Sequence, residues 1–342
     1  MANNLSLHKY ARRALRESGY TGDVDDLAPY ELINEAMSGS DFPNIVSNVQ
    51  NKFLIDGYQY EGRYWSPLVK TRPAVKDFKN IRSIRLTEMG NLLQIPGERA
   101  EAPEFTFRAE EAINYHVDLW GRRIEYLLSL LVDDDLGALQ DTTSAFGRSA
   151  ARTISADIMN VFVANPLYDV DGVATFTVGA PHNNAAALAL NAANLATAVG
   201  LLKTQVDTNG NPIKIGRFYL VVTPALEYTA WQLWEQQGGR VAADVAPVVH
   251  RKMGMQEPII APDLATLSNT CWFLVADPNE IKSIEVAFLQ GLEEPTYLTG
   301  RGHWAQSLLG KYVGQNFTTE DACVWAWGYD VVDYRGLVRG NV

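Results

Sequence analysis

The stretch DDDLGALQDTTSAFGRSAARTISADIMNVFVANP, residues 133–166, limits what this chain can fold into more than any other, because it reads as one unbroken helix. Asp133, Asp134 and Asp135 supply capping oxygens and negative charge at the positive end of a helix dipole, and Asn165-Pro166 forbids continuation. Between these ends Leu139, Phe146, Ala150, Ile154, Ile158 and Val161 form one apolar stripe, with Arg148, Arg152 and Asp157 off it. About 30 residues at 1.5 Å each make a rod about 45 Å long, well over twice the usual helix length. The stripe is too rich in Ala and Thr for a sustained coiled coil, so a structural spine is expected.

The rest of the chain reads as α+β with few βαβ crossovers. Residues 1 to about 60 hold a short amphipathic basic helix (Leu5 to Leu15), a Gly- and Asp-rich break (Gly19 to Asp26) and a second helical stretch, LAPYELINEAM, which together suit an arm better than a domain. NIRSIRL and EFTFRAEEAINYHVDLW alternate like strands on either side of MGNLLQIPGERAEAP, which predicts a long hairpin with a Pro/Gly-interrupted tip. Two strands alone are marginal in water, so such a hairpin needs something else to lie on. Beyond the spine, turns are expected at Asp171-Gly172 and from Gly179 to Asn184. ALALNAANLATAVGLLKTQV reads as an Ala-rich helix ending near Asp207, and Asn209-Gly210 as a tight turn. GRFYLVVTP is a buried strand, Thr223-Pro224 caps PALEYTAWQLWEQQ, TCWFLVADPNEIKSIEVAFL gives two strands about a turn, and ACVWAWGYDVVDYRGLV gives a last strand.

Composition narrows the function classes. No run of about 18 apolar residues offers a membrane span, and the N-terminal twenty residues lack the apolar core of a secretory signal, so a cytoplasmic protein without a membrane partner is expected. The two cysteines, Cys271 and Cys323, sit in apolar runs and read as buried small hydrophobes. The five histidines are scattered, with no HExxH and no Cys-x-x-Cys, so no metal and no cofactor is expected. There is no GxxxxGK[ST] and no GxSxG; TGRGHW, residues 299–304, lacks the third glycine of a dinucleotide loop. The acidic pairs Glu110-Glu111 and Glu293-Glu294 have polar neighbours typical of exposed edges, and His182, in GAPHNN, reads as a solvated turn histidine. No catalytic constellation results, and the chain is expected not to be an enzyme.

The net charge of −11 argues against gripping a nucleic-acid backbone, yet it is unevenly spread. From Arg63 to Leu86 the chain carries Arg63, Lys70, Arg72, Lys76, Lys79, Arg82 and Arg85 against the lone acid Asp77. This basic island is either a solvated face or an electrostatic dock for an acidic surface on another molecule.

In the order of its elements, LVDDDLGAL through NPLYDVDGVATF, then GRFYLVVTPALEYTAWQLW, TCWFLVADPNEIKSIEVAFL and the terminal GYDVVDYRGLV, the chain resembles the major capsid proteins of tailed bacteriophages, particularly those similar to the head subunit of Mu-like phages. The resemblance touches most of the chain from about residue 66 onward and rests on order rather than on one specific motif. It implies the Hong Kong 97-type fold: an N-terminal arm (1–65), an E-loop hairpin (66–107), a peripheral domain (108–190) with its spine helix at 135–165, an axial domain (191–300) and a return to the peripheral domain (301–342).

It further implies self-assembly into hexamers and pentamers of an icosahedral shell that encloses double-stranded DNA without sequence-specific binding. The protein would sit in the virion capsid after assembly in the host cytoplasm, with scaffolding, portal and decoration proteins as possible partners. Lys70, Arg72, Lys76, Lys79, Arg82 and Arg85 at the E-loop, and Arg148 and Arg152 on the spine, become the candidate inter-subunit contacts. Only a short arm precedes the E-loop, so a scaffolding segment is expected to be separate or already removed. Lys76 and Lys79 lack any motif marking a crosslinking partner. An encapsulin-like compartment and an α+β enzyme with a dispersed site are the alternative readings.

Overall fold

The computed structural model describes residues 7–28, 31–32, 36, 42–86, 109–127, 136–207, 210–235, 253–299 and 318–341. In chain order its main elements are α1 (Leu7–Glu17), α2 (Phe42–Tyr60), β1 (Lys70–Thr71), β2 (Ile81–Leu86), β3 (Ala109–Tyr115), β4 (Asp118–Leu127), α3 (Leu136–Ala164), α4 (Ala192–Lys203), β5 (Phe218–Val222), α5 (Glu227–Glu235), β6 (Ile259–Ile260), β7 (Trp272–Ala276), β8 (Ile284–Phe288), β9 (Thr296–Thr299), β10 (Thr318–Val331) and β11 (Leu337–Asn341). They fall into two compact units, residues 1–63, 118–154 and 289–327, and residues 64–117, 155–288 and 328–342.

In the first unit α1 buries Ala11, Ala14 and Leu15. It ends where Gly19 takes φ +80°, letting the Tyr20 amide reach back to the Leu15 carbonyl (3.2 Å). α2 crosses α3 at Gly57 and Gly147: a Cβ on either would meet the other helix's backbone. β10 runs antiparallel to β4 along its length, Thr318 opposite Leu127 through Trp327 opposite Asp118, with β9 on its other side. Leu54, Tyr297 and Cys323 make a buried cluster against which Phe146 packs.

The second unit is built on the sheet β6–β5–β7–β11, in which β5 and β6 are parallel and the other pairs antiparallel. β7 is apolar at every position and buried at every position, because both its faces are covered. Trp272, Leu274 and Ala276 join Leu195, Val199 and Leu202 of α4 on one side. Phe273 meets Phe162 of α3 and Phe176 on the other, with ring centroids 5.0 and 5.5 Å away. The same unit holds the parallel pair β1–β8 and the antiparallel hairpin β2–β3, Ile81 opposite Tyr115 through Leu86 opposite Ala109.

The spine is present as a 29-residue helix, with Ile154, Ile158 and Val161 buried as the stripe requires. Ala151, Ser155, Met159 and Phe162 are buried too, so its C-terminal half is covered on a wider face than the stripe. Asn165 stops it at φ +47°, its side-chain amide exchanging two hydrogen bonds with the Phe176 backbone. Asp133 to Asp135, the expected hairpin tip and residues 300–317 lie outside the described residues.

Several local expectations are corrected. The first helix extends to Glu17, past the expected end at Leu15. The run from Glu104 to Trp120 is not one strand: it breaks at His116 and Val117, and β4 leaves the hairpin to pair with β10. The terminal run likewise breaks after Val331, where a turn capped by Asp333 redirects the chain and β11 pairs with β7. α4 begins only at Ala192, under an Asn191 side chain that accepts from the Asn194 amide. The residues before it are extended, Ala186 and Leu188 donating to the carbonyls of Arg339 and Gly340. Thr223 caps nothing with its side chain; its hydroxyl donates to the Asn269 carbonyl at 2.9 Å.

Candidate functional site

The basic island was the sharpest functional feature of the sequence, and its described residues have differing surroundings. Arg72 is drawn inward. Its Nη1 donates to Glu285 Oε1 at 3.0 Å, and Glu285, the second residue of β8, has a side chain only 4 % exposed. The same Oε1 accepts from the Tyr115 hydroxyl of β3 at 2.6 Å. The other oxygen, Oε2, accepts from Lys282 Nζ at 2.8 Å and from the Ser83 hydroxyl of β2 at 3.3 Å, and Lys282 Nζ also donates to Ser83 Oγ at 2.9 Å. Each carboxylate oxygen thus takes one cation and one hydroxyl, and the knot joins both strands of the hairpin to β8.

The electrostatics follow from this geometry. Burial pushes the Glu285 carboxyl up, but the hydrogen bonds from Lys282, Tyr115 and Arg72 outweigh it and hold the group below the ordinary carboxylate range. Burial first, and then the bond to the Glu285 carboxylate, push the Tyr115 hydroxyl far above the usual tyrosine value. Glu285 is therefore ionised and Tyr115 neutral at any physiological pH. Removing one partner from such a buried charge costs more than the pair itself contributes.

Of the other island residues, several remain on the surface. Lys70 Nζ donates to Asn279 Oδ1 at 2.8 Å, Lys79 pairs loosely with Asp77 at 3.7 Å, and Lys76 and Arg82 are exposed. Arg85 stands opposite Glu110 in the β2–β3 register. Arg63 belongs to the first unit, where it pairs with Glu294 (3.0 Å) and lies over the Tyr58 ring (4.5 Å). On the spine Arg152 is exposed and pairs with Glu61 at 3.4 Å, while Arg148 is half-buried. The structure therefore brings Arg72 into a knot, leaves Lys76, Lys79 and Arg82 as the exposed cations near the hairpin root, and does not gather all eight candidates.

Two residues carry more than their sequence context indicated. Glu285 reads as an ordinary strand residue in IEVAF; the available signal was a single acid in an otherwise apolar run, which must find partners when both faces are covered. His182 is not solvated: it is 1 % exposed, stacks on Tyr334 at 3.6 Å, and directs Nε2 at Asp171 Oδ2 (2.8 Å) and Nδ1 at the Thr175 carbonyl (3.1 Å). Both ring nitrogens are taken up by these contacts, so the ring is committed to holding the turn. Cys271 and Cys323 are buried free thiols, as their apolar settings implied.

Among the described residues no group of three or more His, Cys, Asp or Glu could hold a metal ion, and no helix is long and apolar enough to cross a membrane. In the first unit a cavity of about 170 Å³ lies between α3 and the strands β4 and β10, lined among others by Phe146, Thr153, Trp120 and Trp327. The Trp120 and Trp327 rings stack there at 4.8 Å. None of these places assembles a nucleophile, a base and an orienting group.

Comparison with known proteins matches the family model described as phage capsid protein to residues 110–340, more than half of the chain. No curated protein matches. Among solved structures, a virus-like particle from Pyrococcus furiosus superposes with a TM-score of 0.50 at 11 % identity, over 86 % of this chain and 98 % of that one. The capsid of an empty GTA particle does so with a TM-score of 0.50 at 13 % identity, over 82 % and 90 %. The capsid of the cyanophage P-SCSP1u matches with a TM-score of 0.50 at 12 % identity, over 80 % and 86 %. At such identities these three show a shared fold.

Proposed function

The chain belongs to the phage capsid protein family and has the Hong Kong 97-type fold, and on that premise we propose that it is the major head subunit of a tailed phage. Copies of it assemble into the hexamers and pentamers of an icosahedral shell around double-stranded DNA. The family match across residues 110–340 carries this reading. The hairpin supports it: β2 and β3 pair with each other in a two-stranded sheet, and so slender a ribbon is marginal unless it lies on another surface, which a neighbouring subunit supplies.

Within the shell, residues 66–107 act as the E-loop, α3 as the spine of the peripheral domain, and the region about the β5–β7 sheet as the axial domain. Lys76, Lys79 and Arg82 face an acidic patch of the adjoining copy. A net charge of −11 keeps the inner wall from gripping the packaged duplex, since phosphate contacts come from Lys and Arg. The work is structural rather than enzymatic, assembly proceeds in the host cytoplasm, and scaffolding, portal and decoration proteins are the partners. An encapsulin-like compartment is the less favoured reading, because the family that matches is that of phage capsid proteins.

The test is the content of the particles. Shells purified from a producing host and treated with nuclease should retain protected duplex DNA. Shells holding a protein cargo in place of DNA would assign the chain to a compartment instead.

A further inference from the structure

The hairpin root contains a feature that a passive ribbon would not need, a buried carboxylate whose partners come from four places along the chain. Arg72 follows β1, Ser83 is on β2, Tyr115 on β3, Lys282 precedes β8 and Glu285 lies within it. Ser83 and Tyr115 are buried with Glu285, and Lys70 of β1 stands opposite Glu285 in the parallel ladder. An apolar plug of the same size would hold the root shut with no directional preference. A carboxylate fork that takes a hydroxyl from each hairpin strand, and a cation beside each hydroxyl, fixes an angle as well as a distance.

We propose that Glu285 is the positioning residue for shell assembly: by gripping Ser83 of β2 and Tyr115 of β3 at once, it sets the direction in which the hairpin leaves the subunit and so the place where the hairpin meets its neighbour. Arg72 and Lys282 serve this grip by keeping the carboxylate charged in a dry setting. Arg72 then belongs to the subunit's own framework and not to its docking face. This rests on the assembly reading above and adds the residue that aims the ribbon.

Glu285→Gln tests it, because the amide keeps the shape of the carboxylate but loses its charge and one of its two acceptor oxygens. Three readouts are taken on the full chain: circular dichroism for the fold, amide exchange at residues 81–86 and 109–115 for the root, and particle yield by negative-stain microscopy. The expected result is an unchanged spectrum, about tenfold faster exchange in the root, and loss of most closed particles. Unaltered root exchange, or normal particles from a subunit whose root has loosened, would overturn the inference. If Glu285→Gln does not fold, Tyr115→Phe decides, since it removes one hydroxyl and leaves the ring in place; it must shift root exchange and particle yield together. The wild-type chain is assembled in parallel. Failure of the wild type to form shells would refute the assembly reading, whereas equal shells from wild type and variant would refute the role of Glu285 alone.

Discussion

A methyl group on Gly147 would stand 2.0 Å from the carbonyl oxygen of Leu54, so the helices carrying these residues, α3 and α2, touch backbone to backbone. Gly57 makes the reciprocal contact, with the Ser144 carbonyl 2.3 Å from where its Cβ would be. Neither obstacle is a flexible side chain, so an added methyl separates the helices. Gly147→Ala should destabilise the subunit by about 2–3 kcal/mol, read from the urea midpoint. Gly200→Ala is the control: that glycine sits in α4 with nothing within 4 Å of its would-be Cβ, and the better helix former should add about 0.5–1 kcal/mol.

His182→Ala should destabilise by about 2–4 kcal/mol, because it removes one bond each from the Asp171 carboxylate and the Thr175 carbonyl and leaves a void under the Tyr334 ring. Thermal denaturation checks it. A shift near zero would return His182 to the solvated turn that its sequence context suggested.

Asp330 gives the pH dependence. Burial first, and then the negative charge of Asp169, push its carboxyl up to about 6, against the pull of the Val331 amide. A carboxyl raised in the folded state contributes stability that is fully present below its unfolded value near 3.8 and lost as pH rises through about 6. Asp330→Asn abolishes that loss, so the variant should exceed the wild type by about 1–2 kcal/mol at pH 8 and match it near pH 4. Denaturant midpoints at the two pH values provide the comparison.

The exposed cations of the hairpin root act collectively. Reversing Lys76, Lys79 and Arg82 together should leave the monomer folded and stop shell formation, while each single reversal has a small effect, because exposed pairs contribute about 0–1 kcal/mol. Gel filtration separates the outcomes. Arg72→Glu differs in kind: it sets two carboxylates against each other in the knot and should lower stability even before assembly is measured.

Elements whose own residues dictate their surroundings were legible in the sequence. The spine carries its stop at Asn165-Pro166, and β5 and β7 are apolar throughout, so length and burial could be read directly. What failed depended on partners distant in sequence. Ala185 to Leu190 have helical propensity, yet hydrogen bonds to Arg339 and Gly340 hold them extended. The last run looks continuous because Val331 and Leu337 are both strand formers, and only the turn between them shows that it serves two pairings. The island was visible as charge, but not that Arg72 would be turned inward, since its partner lies 213 positions away.

The central claim, that this subunit completes itself only among many copies, is tested most directly by sedimentation velocity of the purified chain across a range of concentrations. Megadalton closed shells in equilibrium with small capsomers are expected, the shell fraction rising with concentration. A single small species at every concentration, with the strands β2 and β3 protected from exchange along their whole length, would contradict it.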